Sequence, residues 1–221
     1  MVKIVLAIAL MAIPHTSTLQ DDEAKSGSSK GKSKKTPLSE VYPLDTCAVA
    51  GKKLGSMGDP IVHIHEGRQV KFCCKGCLPS FNKNPAKYLA KVDEKIVKMQ
   101  KPNYPANNCI FSDEPLGPKS KDVVVNNRLV RVCCGGCARK LMKDPAPTFR
   151  KLDEQIKAKQ SKTYPLKTCV VSNEPLDSMG KPVDVIVSNT LVKVCCKGCV
   201  RKLSSNPTPV LTRLKAAQKG E

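Results

Sequence analysis

The chain has 221 residues, of which 40% are apolar and only 4% aromatic, with no tryptophan and 12 cysteines. That is thin material for a single large hydrophobic core, so several small units supplemented by covalent or metal cross-links are expected. The formal net charge of +19 keeps the chain basic even with every thiol ionised around a metal, and it suits an anionic surface or an acidic protein partner.

Residues 1–20 carry one lysine and then an unbroken apolar run from Ile4 to Ile13. This matches the n-region and h-region of a secretory signal, and the run is about half the length that spans a bilayer. The sequence therefore predicts export, periplasmic or secreted, with no transmembrane segment once the signal is removed. Residues 21–41 are rich in Lys, Ser and Gly with almost nothing apolar, a solvated and disordered linker.

From Tyr42 onward the sequence repeats three times with a period of about 60 residues. The copies span 42–99, 104–159 and 164–218, and each opens on Tyr-Pro: "YPLDTC", "YPANNC" and "YPLKTC". A lone cysteine follows (Cys47, Cys109, Cys169), then a turn-rich stretch, then two short alternating runs. In the first copy these runs are "IVHIH" and "QVKFC" around "EGR". Alternation flanking a short polar turn reads as a β-hairpin. A cysteine cluster, "CCKGC" or "CCGGC", ends the second strand and opens a short helix. Prolines 85, 145 and 207 come next, preceded by Asn84, Asp144 and Asn206, an N-cap followed by Pro at the first helical position. Apolar residues at helical spacing follow (Leu89 and Val92, Phe149 and Leu152, Leu211 and Leu214), with Ile96 and Ile156 extending the stripe. Each unit is thus a turn, a β-hairpin, a short helix and a closing amphipathic helix, an α+β module of some 50–60 residues that burial alone stabilises poorly.

All twelve cysteines fall in the repeats, four per copy. A tetrahedral soft-metal site draws about four sulfur or nitrogen ligands from two chain segments. A turn cysteine before the hairpin and a cluster after it supply that, because the hairpin brings its two ends together. A helix start also favours thiolate. Cys73 and Cys77, four apart, are expected to share a helical face. Cys47, Cys73 and Cys77 are the core candidates, with Cys74 as the fourth. The same roles fall to Cys109, Cys133 and Cys137 with Cys134, and to Cys169, Cys195 and Cys199 with Cys196.

A lone Cys after an aromatic-Pro start, a hairpin, then "FCCKGC" and "NPAKYL" resembles the TRASH and YHS group of heavy-metal-binding domains. The resemblance covers most of the chain after the linker and is closest in the first copy; the other two lose "AKYL" but keep the cysteines. It implies three tandem treble-clef-like modules and roles in sensing, trafficking or resistance for metals such as copper and mercury. The paired cysteine departs from the simplest C…C-x3-C form, so the fourth thiol is an inference from this sequence. The cofactor reading is zinc or copper, about three ions per chain.

Three other classes stand beside this one. The cysteines could be structural, as zinc staples or disulfides in interaction modules. "CKGC" and "CGGC" are formally C-x-x-C redox motifs, but no unit has room for a thioredoxin-type βαβ scaffold. Nucleic-acid binding fits the charge, yet aromatics for base stacking are few and no nucleic acid is expected as a partner. His63 and His65 alternate on one strand but have valines at the equivalent positions (Val123, Val125, Val185, Val187), which argues for a strand surface. Met57 and Met179 sit in "GSMG" and "DSMG" turns where thioethers could serve Cu(I), with turn packing the plainer reading. No catalytic constellation is visible, and the sequence reads as a non-enzyme. With little core per module, metal binding is expected to couple to folding.

Overall fold

A computed structural model describes residue 37 and residues 40–219. The predicted signal and nearly all of the linker lie outside the described residues. The described residues form three α+β units, each a two-stranded antiparallel hairpin followed by two helices. Strands β1 (Ile61–His65) and β2 (Arg68–Phe72) precede α1 (Cys77–Lys83) and α2 (Pro85–Gln100). Next come β3 (Lys121–Val125), β4 (Arg128–Val132), α3 (Gly135–Lys143) and α4 (Pro145–Gln160). The third set is β5 (Val183–Val187), β6 (Thr190–Val194), α5 (Lys197–Ser205) and α6 (Thr208–Lys219).

The hairpins share one register, with Ile61 opposite Phe72, Lys121 opposite Val132, and Val183 opposite Val194. Their turns are two residues long, tighter than the three-residue "EGR" expected in the first copy. Both turn residues are left-handed in every copy: Glu66 and Gly67 (φ 49° and 81°), Asn126 and Asn127 (47° and 65°), Ser188 and Asn189 (48° and 63°). Paired positive φ values match the right-handed twist of the flanking strands, which is why this turn closes a two-residue hairpin.

Asn84 and Asp144 cap α2 and α4 through their side chains, accepting from Lys87 N at 3.1 Å and Ala146 N at 3.2 Å, with Pro in the first turn. The third copy differs. Helix α6 begins at Thr208, and the Pro207 carbonyl accepts from Leu211 N at 3.1 Å, so the proline itself takes the capping position. The apolar stripes point inward as their spacing requires: Val92, Ile96, Phe149, Leu152, Ile156, Leu211 and Leu214 are buried.

The cores do not stop at the repeat boundaries. Val124 packs against the first core, Ile186 and Leu191 belong to the second, and Val41 is buried in the third. Polar junctions reinforce this. The Asn127 amide donates to the Gln69 carbonyl at 2.9 Å, and the Asn189 amide to the Leu129 carbonyl at 2.7 Å. The Gln100 side chain, at the end of α2, brackets the next hairpin by donating to Asn127 O (2.9 Å) and accepting from Leu129 N (2.8 Å). Gln160 repeats this on Asn189 O (3.1 Å) and Leu191 N (2.7 Å). Arg68 ties Asn127 to Asp93, and Arg128 ties Asn189 to Asp153. Arg128 is fully buried, with its guanidinium 4.6 Å from the centre of the Phe149 ring. Lys71 Nζ donates to the Ser205 carbonyl at 3.2 Å, so the first and third modules also touch. The small units therefore share burial instead of relying on cysteines alone.

Candidate metal centres

Each site is assembled from two tight backbone turns. In the first, Cys47 N donates to the Lys52 carbonyl at 2.7 Å and the Cys47 carbonyl accepts from Gly51 N at 3.0 Å. Cys109 and Cys169 repeat the pattern with Glu114 and Asp113, and with Glu174 and Asn173. Reversing the chain this sharply needs a left-handed residue four positions past the cysteine, and Gly51, Asp113 and Asn173 stand there with φ of 66°, 58° and 68°. All three are types that tolerate that conformation. The opening tyrosines brace the turn: Tyr104 Oη accepts from Arg131 N at 3.1 Å, Tyr164 Oη accepts from Lys193 N at 3.0 Å, and Tyr42 Oη donates to the Thr46 carbonyl at 2.9 Å.

The second turn follows the hairpin. The sequence reading put Cys73 and Cys77 on one helical face, but α1 begins only at Cys77 and Cys73 precedes it in a bend. The turn between them, closed by Cys77 N on the Cys74 carbonyl at 3.3 Å, brings the sulfurs together. In the other modules Cys134 and Cys196 hold the N-cap position of α3 and α5 with extended backbone, and Cys137 and Cys199 lie in the first turn.

Three sulfurs converge in every module: Cys47, Cys73 and Cys77; Cys109, Cys133 and Cys137; Cys169, Cys195 and Cys199. Within each triad all sulfurs lie within 4.8 Å of one another. The shortest separations are 3.6 Å for Cys47–Cys77, 3.8 Å for Cys73–Cys77, 3.7 Å for Cys133–Cys137 and 3.8 Å for Cys195–Cys199. Metal–sulfur bonds of about 2.3 Å in a tetrahedron give an edge of about 3.8 Å. The triads thus have the spacing of thiolates around one ion. Cys74 stands beside its triad, 3.8 Å from Cys77, while Cys134 and Cys196 are the more solvent-exposed members of their clusters.

The electrostatics divide each triad. Burial opposes ionisation of Cys109, but backbone N–H groups of Cys133 and Phe111 and the Ser112 hydroxyl outweigh it and carry the thiol down to about 6. Cys169 is also lowered to about 6, against burial, by the Ser172 hydroxyl and by backbone N–H groups of Ser172, Cys195 and Val171. Burial opposes ionisation of Cys47 as well, but the backbone N–H groups of Ala50, Cys73 and Val49 outweigh it and shift the thiol down, with the Ala50 nitrogen 3.4 Å from the sulfur. The helix-start thiols Cys77 and Cys199 go the other way, pushed up to about 12 by burial and by neighbouring thiols. In every module the turn cysteine is thus shifted toward the thiolate, and so is the outer cysteine beside the triad (Cys74, Cys134, Cys196).

Sequence reasoning missed Ser112 and Ser172. Their hydroxyls lie 3.3 Å from Cys133 Sγ and 3.4 Å from Cys195 Sγ, while Ala50 stands at the same place in the first module. The third position after each lone cysteine was the available signal. His63 and His65 lie on one face of β1, as their alternation predicts. Both are half-buried, with rings 5.8 Å and 5.2 Å from the Phe81 ring in edge-on contact, and they join no thiol triad. Met57 and Met179 are 56% and 71% exposed, so neither packs its turn.

Comparison of the chain with protein-family models, with curated proteins and with solved structures returns no match. Among the described residues no helix is long and apolar enough to cross a membrane.

Proposed function

We propose that the protein is a metal-handling protein that holds one soft or borderline heavy-metal ion per module, zinc or copper by the chemistry of an all-thiol donor set. One observation carries the reading: three equivalent, largely buried thiol triads with sulfurs at tetrahedral-edge spacing. In each module the turn cysteine, the cysteine that ends the second strand and the one at the helix start would hold the ion between them. The sequence resemblance to TRASH and YHS domains supports trafficking, sensing or resistance. The apolar N-terminal run supports an exported, periplasmic or secreted setting. The lack of a catalytic residue set in the sequence supports a binder rather than an enzyme.

A second reading, structural zinc in interaction modules, uses the same ligands. The cores shared across repeat boundaries favour cargo over staple, because the fold has burial and junction hydrogen bonds that do not pass through the metal. Elemental analysis of the reduced protein, followed by circular dichroism after chelation, tests both. Three ions per chain and a helical signal that survives chelation support the proposal, and collapse of the signal favours the staple.

A further inference from the structure

One thiol beside each triad is placed for contact with solvent, and in the second module the triad member Cys133 is half-buried as well. Cys47, Cys73 and Cys77 are 2%, 1% and 7% exposed, and Cys169, Cys195 and Cys199 are 0%, 4% and 6% exposed. Cys74 and Cys196, by contrast, are half-buried, and Cys134 is exposed. Cys74 Sγ is as close to Cys77 Sγ as Cys73 Sγ is, 3.8 Å in both cases. Cys77 thus shares one tetrahedral edge with the triad and another with the outer thiol.

A second observation bears on access. A glycine stands two residues after each outer cysteine, and a Cβ built there would touch the sulfur of Cys74, Cys134 or Cys196 at 3.8, 3.7 or 3.5 Å. Gly76 has an ordinary helical φ of −63°, and neither Gly136 nor Gly198 has a positive φ. Backbone conformation therefore does not demand glycine at these positions. What glycine does in all three modules is leave the outer sulfur uncovered.

We propose that Cys74, Cys134 and Cys196 are exchange ligands, through which a thiophilic ion passes between the buried triad and the thiol of an incoming carrier. This rests on the metal-holding reading above and adds the route by which metal arrives and leaves. On loading, a metal–sulfur bond to the outer cysteine forms as the carrier's bond breaks. The proton given up by the outer thiol is taken by the departing carrier thiolate, and no electrons are transferred. The ion then shifts across Cys77 onto the triad: bonds to the triad sulfurs form as the bond to the outer sulfur breaks, one proton released by the triad thiols returns to the outer thiolate and the rest pass to water, and unloading reverses the sequence.

The test uses the full chain loaded with Cd(II) and challenged with excess dimercaptosuccinate, with cadmium remaining on the protein counted after rapid desalting. The triple variant C74S/C134S/C196S should keep three cadmium ions per chain and release them about tenfold more slowly, or slower still. The variant G76L/G136L/G198L keeps all twelve thiols but covers the outer sulfurs, and it should also retain three ions and release them slowly. Release at the wild-type rate by either variant overturns the proposal. So does loss of stoichiometry in the serine variant, which would make the outer thiols obligatory ligands and leave thiolate binding intact. A wild-type chain that holds no cadmium would instead overturn the metal-holding reading itself.

Discussion

The side-chain amide of Asn189 donates to the main-chain carbonyl of Leu129 at 2.7 Å, joining residues 60 apart in the chain across a module boundary. Asn189 is buried, holds φ at 63°, and is gripped in turn by Arg128 and Gln160. Replacing it with alanine strands the buried Leu129 carbonyl and leaves a left-handed residue without the polar side chain that makes that conformation tolerable for Asn. The expected cost is about 3 kcal/mol. Asn189→Gly removes the amide but relieves the backbone, so it should cost less than Asn189→Ala. Urea unfolding of the two variants measures the difference, and equal losses would mean that backbone strain contributes nothing.

Arg128 is 0% exposed and pairs with Asp153 at 2.6 Å. Burial lowers the pKa of the Arg128 guanidinium, opposed by Asp153. Asp153→Ala leaves that cation buried without its carboxylate, and the expected loss of stability is about 3–5 kcal/mol. The double variant R128M/D153L replaces the pair with apolar groups and should be more stable than Asp153→Ala alone. The same urea experiment reads the ordering directly.

Ser188 stands at φ 48°, is 2% exposed, and its hydroxyl has no hydrogen-bond partner among the described residues. Ser188→Gly removes both the backbone strain and the orphaned hydroxyl, partly offset by the greater freedom of glycine in the unfolded chain. A net gain of about 1 kcal/mol is expected, seen as a raised thermal midpoint.

Much of this arrangement was legible in the sequence. The Tyr-Pro starts, the two-residue-period strands, the Asn84 and Asp144 caps and the apolar stripes each carry a local signal, and each stands where its chemistry puts it. The pairing of Cys47 with a cluster 26 positions on followed from the hairpin between them. What was not legible depends on contacts between repeats. Asn127, Asn189, Gln100 and Gln160 look like ordinary turn and helix-end residues until the neighbouring module is in place. Ser112 and Ser172 look like turn serines until the hairpin brings Cys133 and Cys195 against them. The geometry of Cys73 and Cys77 was misjudged because spacing of four implies a helical face only inside a helix, and this one starts at Cys77.

The metal-free sites should titrate in a defined order. Cys109 and Cys169 are lowered to about 6, against burial, by backbone N–H groups and serine hydroxyls. Their folded values lie below the unfolded thiol value, so the stability they contribute is present above the unfolded pKa and is lost as pH falls through about 6. Ultraviolet thiolate absorbance of the metal-free protein should show a step near pH 6 that disappears in C109S/C169S. In S112A/S172A the step should move up by about one pH unit, the equivalent of losing one charge-assisted hydrogen bond. A step that stays put would mean that the serines do not face the thiolates.

The central claim is that the three triads are metal sites. It is tested most directly by measuring zinc and cadmium bound per chain in the fully reduced protein, beside the variant C47S/C109S/C169S, which removes one member of each triad. Three ions per wild-type chain, with binding lost in the variant, is the predicted result. A reduced wild-type chain with all twelve thiols titratable and no bound metal would contradict it.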